Sequence, residues 1–381
     1  MGYLSNRTIN YLNLLGALLS LLEQGWSLFG PLYLYSRGFS VAEVFMLMAV
    51  LIGSRIPLRL LTFPIVHKFG LRAALMLGTA GYACTFPILA MVKGYDYWLL
   101  AYVLMFGIFC AMYWHCYHTF YSLAGEHEHR GKQLSVAQAM SVTFSAVVPL
   151  LSAFFITSNG YEKYFWMSLP VLMAMIYVIS RCENIPTIPI KWKDGKKLMF
   201  NLGAKIHIAE ASATFPVNIG WIFVTYFYVK KLVIFGVVLT FGILVQIIYQ
   251  LWIGKAIDRG RGHFVANAAG FLRALQVLGK ALLPLSYFSL FSLEALTGAT
   301  NVHHALAQPT VMYNTGKKSA DPFWYWFFAE TAYDLGTILG SGGAALCLFY
   351  GLPVRLVILL ALPGVFAVWR LTYKNLKPKK A

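Results

Sequence analysis

The chain has 381 residues, 59% hydrophobic and only 12% charged, and its 31 Lys and Arg against 14 Asp and Glu give a formal net charge of +17. At a mean hydropathy of +0.64 it carries more apolar surface than one water-soluble core can bury, which excludes a soluble enzyme and a soluble nucleic-acid-binding protein. The positive excess is then a topological signal, read from its distribution between loops.

Apolar runs of about 18 to 25 residues, the length that crosses ~30 Å of hydrocarbon, recur twelve times. In chain order they cover 11–33, 41–64, 72–92, 98–121, 134–156 and 164–180, then 204–228, 232–253, 264–285, 288–312, 323–348 and 352–372. They are rich in Leu, Ala, Met and Phe and lack period-two alternation, so they predict helices rather than a membrane barrel. The first run leads into Gly30 and Pro31 without a small-residue cleavage site and is expected to stay as a signal anchor. Ser40 with Glu43 three residues on is a capping-box pattern for the start of the second helix. Cys84, Cys110, Cys116, Cys182 and Cys347 fall mostly inside apolar runs with no CxxC spacing, so neither disulfides nor a zinc site is expected.

Between Arg181 and Gly203 the series is interrupted. Ile185-Pro186-Thr187-Ile188-Pro189 breaks helix, and Lys191-Trp192-Lys193-Asp194-Gly195-Lys196-Lys197 forms a basic segment, read as a solvated linker or as one that lies on an anionic leaflet. The chain thus divides into an N-terminal six-helix bundle (1–180), a basic linker (181–203) and a C-terminal six-helix bundle with a basic tail (204–381). Lys68, Arg72, Arg130, Lys132, the linker lysines, Lys255, Arg259, Arg261, Lys317, Lys318 and the tail fall on one side, which the positive-inside rule assigns to the cytoplasm. Both termini are therefore expected in the cytoplasm, with an even number of crossings, in a bacterial cytoplasmic (inner) membrane. Leu15-Gly16-Ala17 followed by Glu23 returns as Leu202-Gly203-Ala204 followed by Glu210, an offset of 187 residues, about half the chain. Such an offset suggests two related bundles.

Six helices, a basic linker and six more helices resemble the major facilitator superfamily of secondary transporters. Gly254-Lys255-Ala256-Ile257-Asp258-Arg259-Gly260-Arg261-Gly262, after the eighth helix, is similar to that family's G-x-L-a-D-R-x-G-R loop, with the second glycine displaced by one position. The matching stretch after the second helix, Phe63 to Arg72, keeps Lys68 and Gly70 but has His67 where the family has Asp. Pro149 in the fifth helix is similar to the family's Gly-rich G-P-x-x-G motif with its glycines replaced, and Gly336, Gly340, Gly342 and Gly343 in the eleventh are small residues that allow close helix approach and bending. The resemblance implies an all-α membrane protein of twelve transmembrane helices in two pseudo-symmetric six-helix bundles, with helices 1, 4, 7 and 10 lining a central cavity. It also implies a conformational gate at Gly254, Asp258 and Arg259, and at Lys68 and Gly70 in the degenerate copy.

Several charged or titratable residues fall inside the apolar runs. Glu23 lies fourteen residues before Arg37, about 21 Å along a helix, and a carboxylate so deep must carry a proton or find a cation. Arg55 is its expected counter-ion or an anion-binding group, whereas Arg59, one turn nearer the cytoplasm, is placed to snorkel. His115 and His118 in helix 4, and His303 and His304 in helix 10, suit proton relay, substrate hydrogen bonding or a lone structural role better than a metal site. Glu330 and Asp334 share a face of helix 11 and are expected to share a proton, to bind a cation, or to pair with Lys317 or Arg273. Arg273, in a helix that is peripheral in the family, is expected in a structural ion pair, and Glu294 near the outer interface. Glu210 lies near the cytoplasmic boundary if helix 7 is straight. The loop Glu126-His127-Glu128-His129-Arg130-Gly131-Lys132 is read as solvated, and the aromatic run Phe323 to Phe328 as an interfacial belt.

The expected function is secondary active transport of a small solute by alternating access, coupled to protons through Glu23 with help from Glu210, His115, His118 or His304. The rival readings are an intramembrane enzyme acting on lipid-linked substrates and a non-transporting receptor or scaffold. Expected partners are a small-molecule substrate, protons and membrane lipids, without nucleic acid, cofactor or metal, and the chain is expected to act as a monomer.

Overall fold

The computed structural model describes residues 6–126, 130–185, 192–258 and 262–376, with the backbone alone at several helical positions, 251–258 and 303–307 among them. Helix α1 comprises Arg7–Leu22, a π-helical turn Glu23–Ser27 and Leu28–Ser36. Val41–Leu58 and the turn Arg59–Leu61 run on into Thr62–Met91, which changes direction at Gly70, so α2 is 41–69 and α3 is 71–91. Then follow α4 (Tyr97–Ala124), α5 (Arg130–Ser145 and Val148–Asn159) and α6 (Tyr161–Trp166 and Ser168–Ser180). After a short helical turn at Trp192–Gly195 come α7 (Leu202–Val229), α8 (Leu232–Asp258), α9 (Gly262–Leu282) and α10 (Tyr287–Lys318). Helix α11 is Pro322–Thr337, a second π turn Ile338–Gly342 and Gly343–Phe349, and α12 runs from Val354–Val357 through Ile358–Ala361 to Leu362–Leu376. Among the described residues seven helical stretches are long and apolar enough to cross a membrane on length and hydropathy alone, and the longest, Val41–Met91, holds both α2 and α3. The remaining four long helices, α1, α7, α9 and α10, pack among them.

Local chemistry sets several of these boundaries. The Ser40 side chain accepts from the Glu43 N–H at 3.2 Å while Glu43 accepts from the Ser40 N–H at 2.7 Å, a reciprocal cap that starts α2. Gly70 has φ 82°, and a Cβ there would meet Asn184 Oδ1 at 3.2 Å and the Ile185 carbonyl at 3.3 Å. Only a glycine makes that turn without strain, so α2 continues to residue 69 instead of ending at 64. Helix α8 likewise runs to Asp258, so Gly254 and Asp258 are helical rather than in a loop; their side chains, and Arg259 altogether, lie outside the described residues.

The two halves repeat one packing plan. In the first, α1 packs on α5 and α6, α3 on α4 and α6, and α2 on α4; in the second, α7 packs on α11 and α12, α9 on α10 and α12, and α8 on α10. Each pairing recurs six helices later, as expected of two bundles related by a pseudo-two-fold axis. The halves meet along α2 with α11 and α5 with α8, which exchange under the same shift.

At the end where α1 starts, the interface is aromatic and polar. His118 Nδ1 lies 2.6 Å from the Tyr313 hydroxyl, Ser122 donates to the Tyr313 carbonyl at 3.3 Å, and Lys317 donates to the Gly125 carbonyl. The run expected as an interfacial belt is instead buried here, from Phe323 to Phe327. The first turns of α11 face α2 and α4 rather than lipid, and Phe63 of α2 meets Phe323 and Phe327 edge-on. At the other end the contacts are apolar, with Tyr35 against Phe223 and Phe227, and Phe29 against Phe235.

Candidate functional site

A cavity of ≈ 520 Å³ lies between the halves, and residues of α1, α2, α3, α4, α7, α8, α9, α10 and α11 line it. Its charged or titratable side chains include Glu23, Arg55, His118, His207, Lys280, Glu294 and Glu330. In hydrocarbon each such charge needs a partner or a function.

Glu23 opens the π-helical turn of α1. A π turn adds one residue to the helix and redirects the side chains around it, a device common at functional sites. Gly25 in that turn leaves room for the Tyr164 hydroxyl, which bonds Ser152 at 2.6 Å, and Trp26 stacks on the Tyr164 ring at 5.1 Å. These contacts anchor α1 to α5 and α6 while Glu23 faces the cavity. Its carboxylate forms no hydrogen bond or ion pair with any described residue, so the expected pairing with Arg55 is absent.

Arg55 is committed elsewhere. Its Nη2 lies 2.8 Å from Glu330 and its Nε 3.3 Å from Asp334, while Arg59 Nη2 lies 2.6 Å from Asp334. Arg59 also donates to the Thr331 hydroxyl at 2.9 Å. Two arginines four residues apart on α2 thus face two carboxylates four residues apart on α11, a formally neutral clamp from one half to the other. Arg59 does not snorkel: it is fully buried and bonded to Asp334 and Thr331 of α11. Nor do Glu330 and Asp334 pair with Lys317 or Arg273. Two histidines extend the clamp, His118 Nε2 at 3.5 Å and His207 Nδ1 at 3.8 Å from Glu330. His207 was not singled out in the sequence, although it stands one turn before Glu210 on α7.

Two further pairs belong to the C-terminal half alone. Arg273 on α9 lies 3.4 Å from Glu210 and 3.0 Å from the Thr214 hydroxyl, the structural pair expected of a peripheral helix. Glu210 is buried there. Lys280 on α9 lies 3.4 Å from Glu294 on α10 and 4.7 Å above the Trp221 ring, whose indole N–H donates to the same carboxylate. Glu294 is thus a buried cavity residue rather than an interfacial one, and Lys280 is a site residue that sequence reasoning missed.

The other expected residues separate. His118 lines the cavity, whereas His115 is buried beside it with Nε2 3.0 Å from the Phe323 carbonyl. Asp334 sits behind Arg55 in the clamp. The side chains of His303 and His304 lie outside the described residues. Lys68 lies over the Phe69 ring near the Gly70 turn, away from the cavity. Among the described residues no group of three His, Cys, Asp or Glu is placed to hold a metal ion.

Solved structures share this architecture. The human organic anion transporter MFSD10 (TETRAN) superposes with a TM-score of 0.69 at 14% identity, over 97% of this chain and 99% of that one. The E. coli fucose:proton symporter FucP gives 0.65 at 12% identity, over 98% of each chain. No curated relative matches in sequence. Identities this low carry the fold alone. A family model described as Major Facilitator Superfamily matches residues 12–341, most of the chain. With the twelve-helix plan and its internal two-fold, this integral membrane protein belongs to the major facilitator superfamily of secondary transporters.

Proposed function

We propose that this transporter moves a small solute by alternating access, with bundles 1–180 and 204–381 rocking about the cavity and a proton carried on Glu23. One observation carries the coupling role. Glu23 is a cavity carboxylate with no ion-pair partner among the described residues, whereas Glu330, Asp334, Glu294 and Glu210 each have a cation within 3.4 Å. A partnerless carboxylate in a low-dielectric cavity is held neutral by a proton and loses it when water or a cation arrives, as coupling requires. His118 and Glu330 form a polar floor on which a solute hydroxyl or amide can bond. The end carrying Lys68 and Arg72, where α1 starts, is the cytoplasmic one in this reading, in keeping with its basic loops.

The test begins with a thermal-shift screen of metabolites and drugs to find a ligand, followed by uptake of that ligand into proteoliposomes. With an imposed pH gradient the wild type accumulates it, and Glu23→Gln loses accumulation while still exchanging it across the membrane by counterflow. Accumulation by Glu23→Gln at the wild-type level across pH 5.5 to 8.5 removes Glu23 from the coupling.

A further inference from the structure

Resting on the reading of Glu23 as a proton carrier, we infer that the substrate is a monovalent organic cation with an aromatic or otherwise apolar body, which binds Glu23 in exchange for its proton. Charge balance around the cavity is the first support. Arg55 and Arg59 offset Glu330 and Asp334, Lys280 offsets Glu294, and Arg273 offsets Glu210, so with His118 and His207 as neutral imidazoles each of these sets is formally neutral. Glu23 is left over, and with it the described cavity carries one uncompensated negative charge whenever the carboxyl is ionised. One proton or one monovalent cation neutralises it, and both together do not fit the balance. Substrate and proton therefore compete for one site and exchange one for one, with no net charge moved.

The walls give the second support. Trp26, Tyr82, Phe86, Phe106 and Trp114 line the N-terminal side of the cavity, and Trp26, Tyr82 and Phe86 lie in one series with centroids 5.1 and 5.8 Å apart. Aromatic faces attract cations through their quadrupoles, most strongly where water is excluded. A carboxylate beside such faces favours a cation with an apolar body over an anion or a neutral sugar, which would leave Glu23 uncompensated or the rings unused.

No other described group supplies the missing charge. Described groups within electrostatic range of Glu23 include Arg55 on α2, Tyr82 on α3, Cys110, Tyr113 and Tyr117 on α4, and Tyr333 on α11. The phenols and the thiol are uncharged near neutral pH, and Arg55 is held by two carboxylates of α11. The pH dependence of cation binding therefore belongs to Glu23.

Tetraphenylphosphonium and tetraphenylborate have nearly the same shape and opposite charge, and so separate the carboxylate from the rings. With purified full-length protein in detergent, tetraphenylphosphonium binding should tighten as pH rises from 5.5 to 8.5 and should release about one proton per cation into weak buffer. Glu23→Gln should weaken it at least tenfold and flatten the pH profile, and Glu23→Asp should restore part of both. Tetraphenylborate should bind wild type and Glu23→Gln alike, and more weakly than tetraphenylphosphonium binds wild type. Equal binding of the two probes to wild type, preference for the borate, or cation binding indifferent to Glu23→Gln each overturns the inference. So does a wild type that binds neither tetraphenylphosphonium nor the smaller benzyltrimethylammonium at millimolar concentration. Failure of the coupling reading looks different: proton-driven accumulation of the screened ligand persists in Glu23→Gln. Loss of that accumulation without cation binding refutes the substrate class alone.

Discussion

Lys280 and Glu294 show how a single buried charge depends on its partner. Both side chains are buried, and the ammonium is further held over the Trp221 ring. Removing one member of such a pair leaves the other charged and desolvated, a loss of about 3–5 kcal/mol, whereas removing both at once is often close to neutral. Lys280→Met should therefore lower the thermal midpoint of the purified protein sharply, and adding Glu294→Gln should recover most of the loss, since the amide oxygen still accepts from the Trp221 indole. A double variant no more stable than Lys280→Met would mean that the pair does not act as a unit. Glu23 differs in kind: with no cation beside it, Glu23→Gln strands no charge, and its effect falls on transport rather than on stability.

At the scale of elements, the clamp between α2 and α11 is an ion-paired contact that must part, with the hydrogen bonds of α4 to α10, if the halves separate at the end where α1 starts. Breaking it exposes two arginines and two carboxylates together, so that end stays shut until water or a competing charge enters. Asp334→Leu leaves Arg55 and Arg59 sharing Glu330, and should favour the open state. A thiol at Ser122→Cys, placed in a background without the native cysteines and buried beneath Tyr313, should then react with maleimide about tenfold faster, equivalent to ~1.4 kcal/mol. Arg59→Leu added to Asp334→Leu rebalances the charge and should slow the reaction again. Unchanged labelling in Asp334→Leu would show that the clamp does not hold that end closed. The clamp was half legible in the sequence. The four-residue spacing put Glu330 and Asp334 on one face of a helix, and one helical turn likewise separated Arg59 from Arg55. What could not be read is that these faces meet, because periodicity describes one helix and pairing across 275 residues depends on how two bundles dock. Helix existence was readable for the opposite reason: the length of an apolar run is local. Its failures came where a backbone turn overrode hydropathy, as at Gly70, or where aromatic residues served a protein interface instead of a lipid one, as at Phe323 to Phe327.

For the whole molecule, the two ends of the interface differ in chemistry. One end is closed by ions, hydrogen bonds and stacked rings, the other by apolar contacts of Tyr35, Phe29 and the upper turns of α2 and α11. Apolar contact is non-directional and tolerates sliding, whereas an ion clamp is made or broken as a unit, so the two ends need not open by the same motion. Alternating access still requires the apolar end to part. Ala49 on α2 and Gly342 in the π turn of α11 lie on opposite sides of that contact, and a Cβ at residue 342 would stand 4.0 Å from the Ala49 Cβ. This separation is within the range that a disulfide spans. In a background lacking the five free native cysteines, Ala49→Cys with Gly342→Cys should cross-link on oxidation, abolish solute flux in proteoliposomes, and regain it on reduction. Each single variant should be indifferent to oxidant. Flux that continues in the cross-linked protein would mean that α2 and α11 remain together through the cycle, and that the cavity reaches this side by movement of α1 against α7 instead.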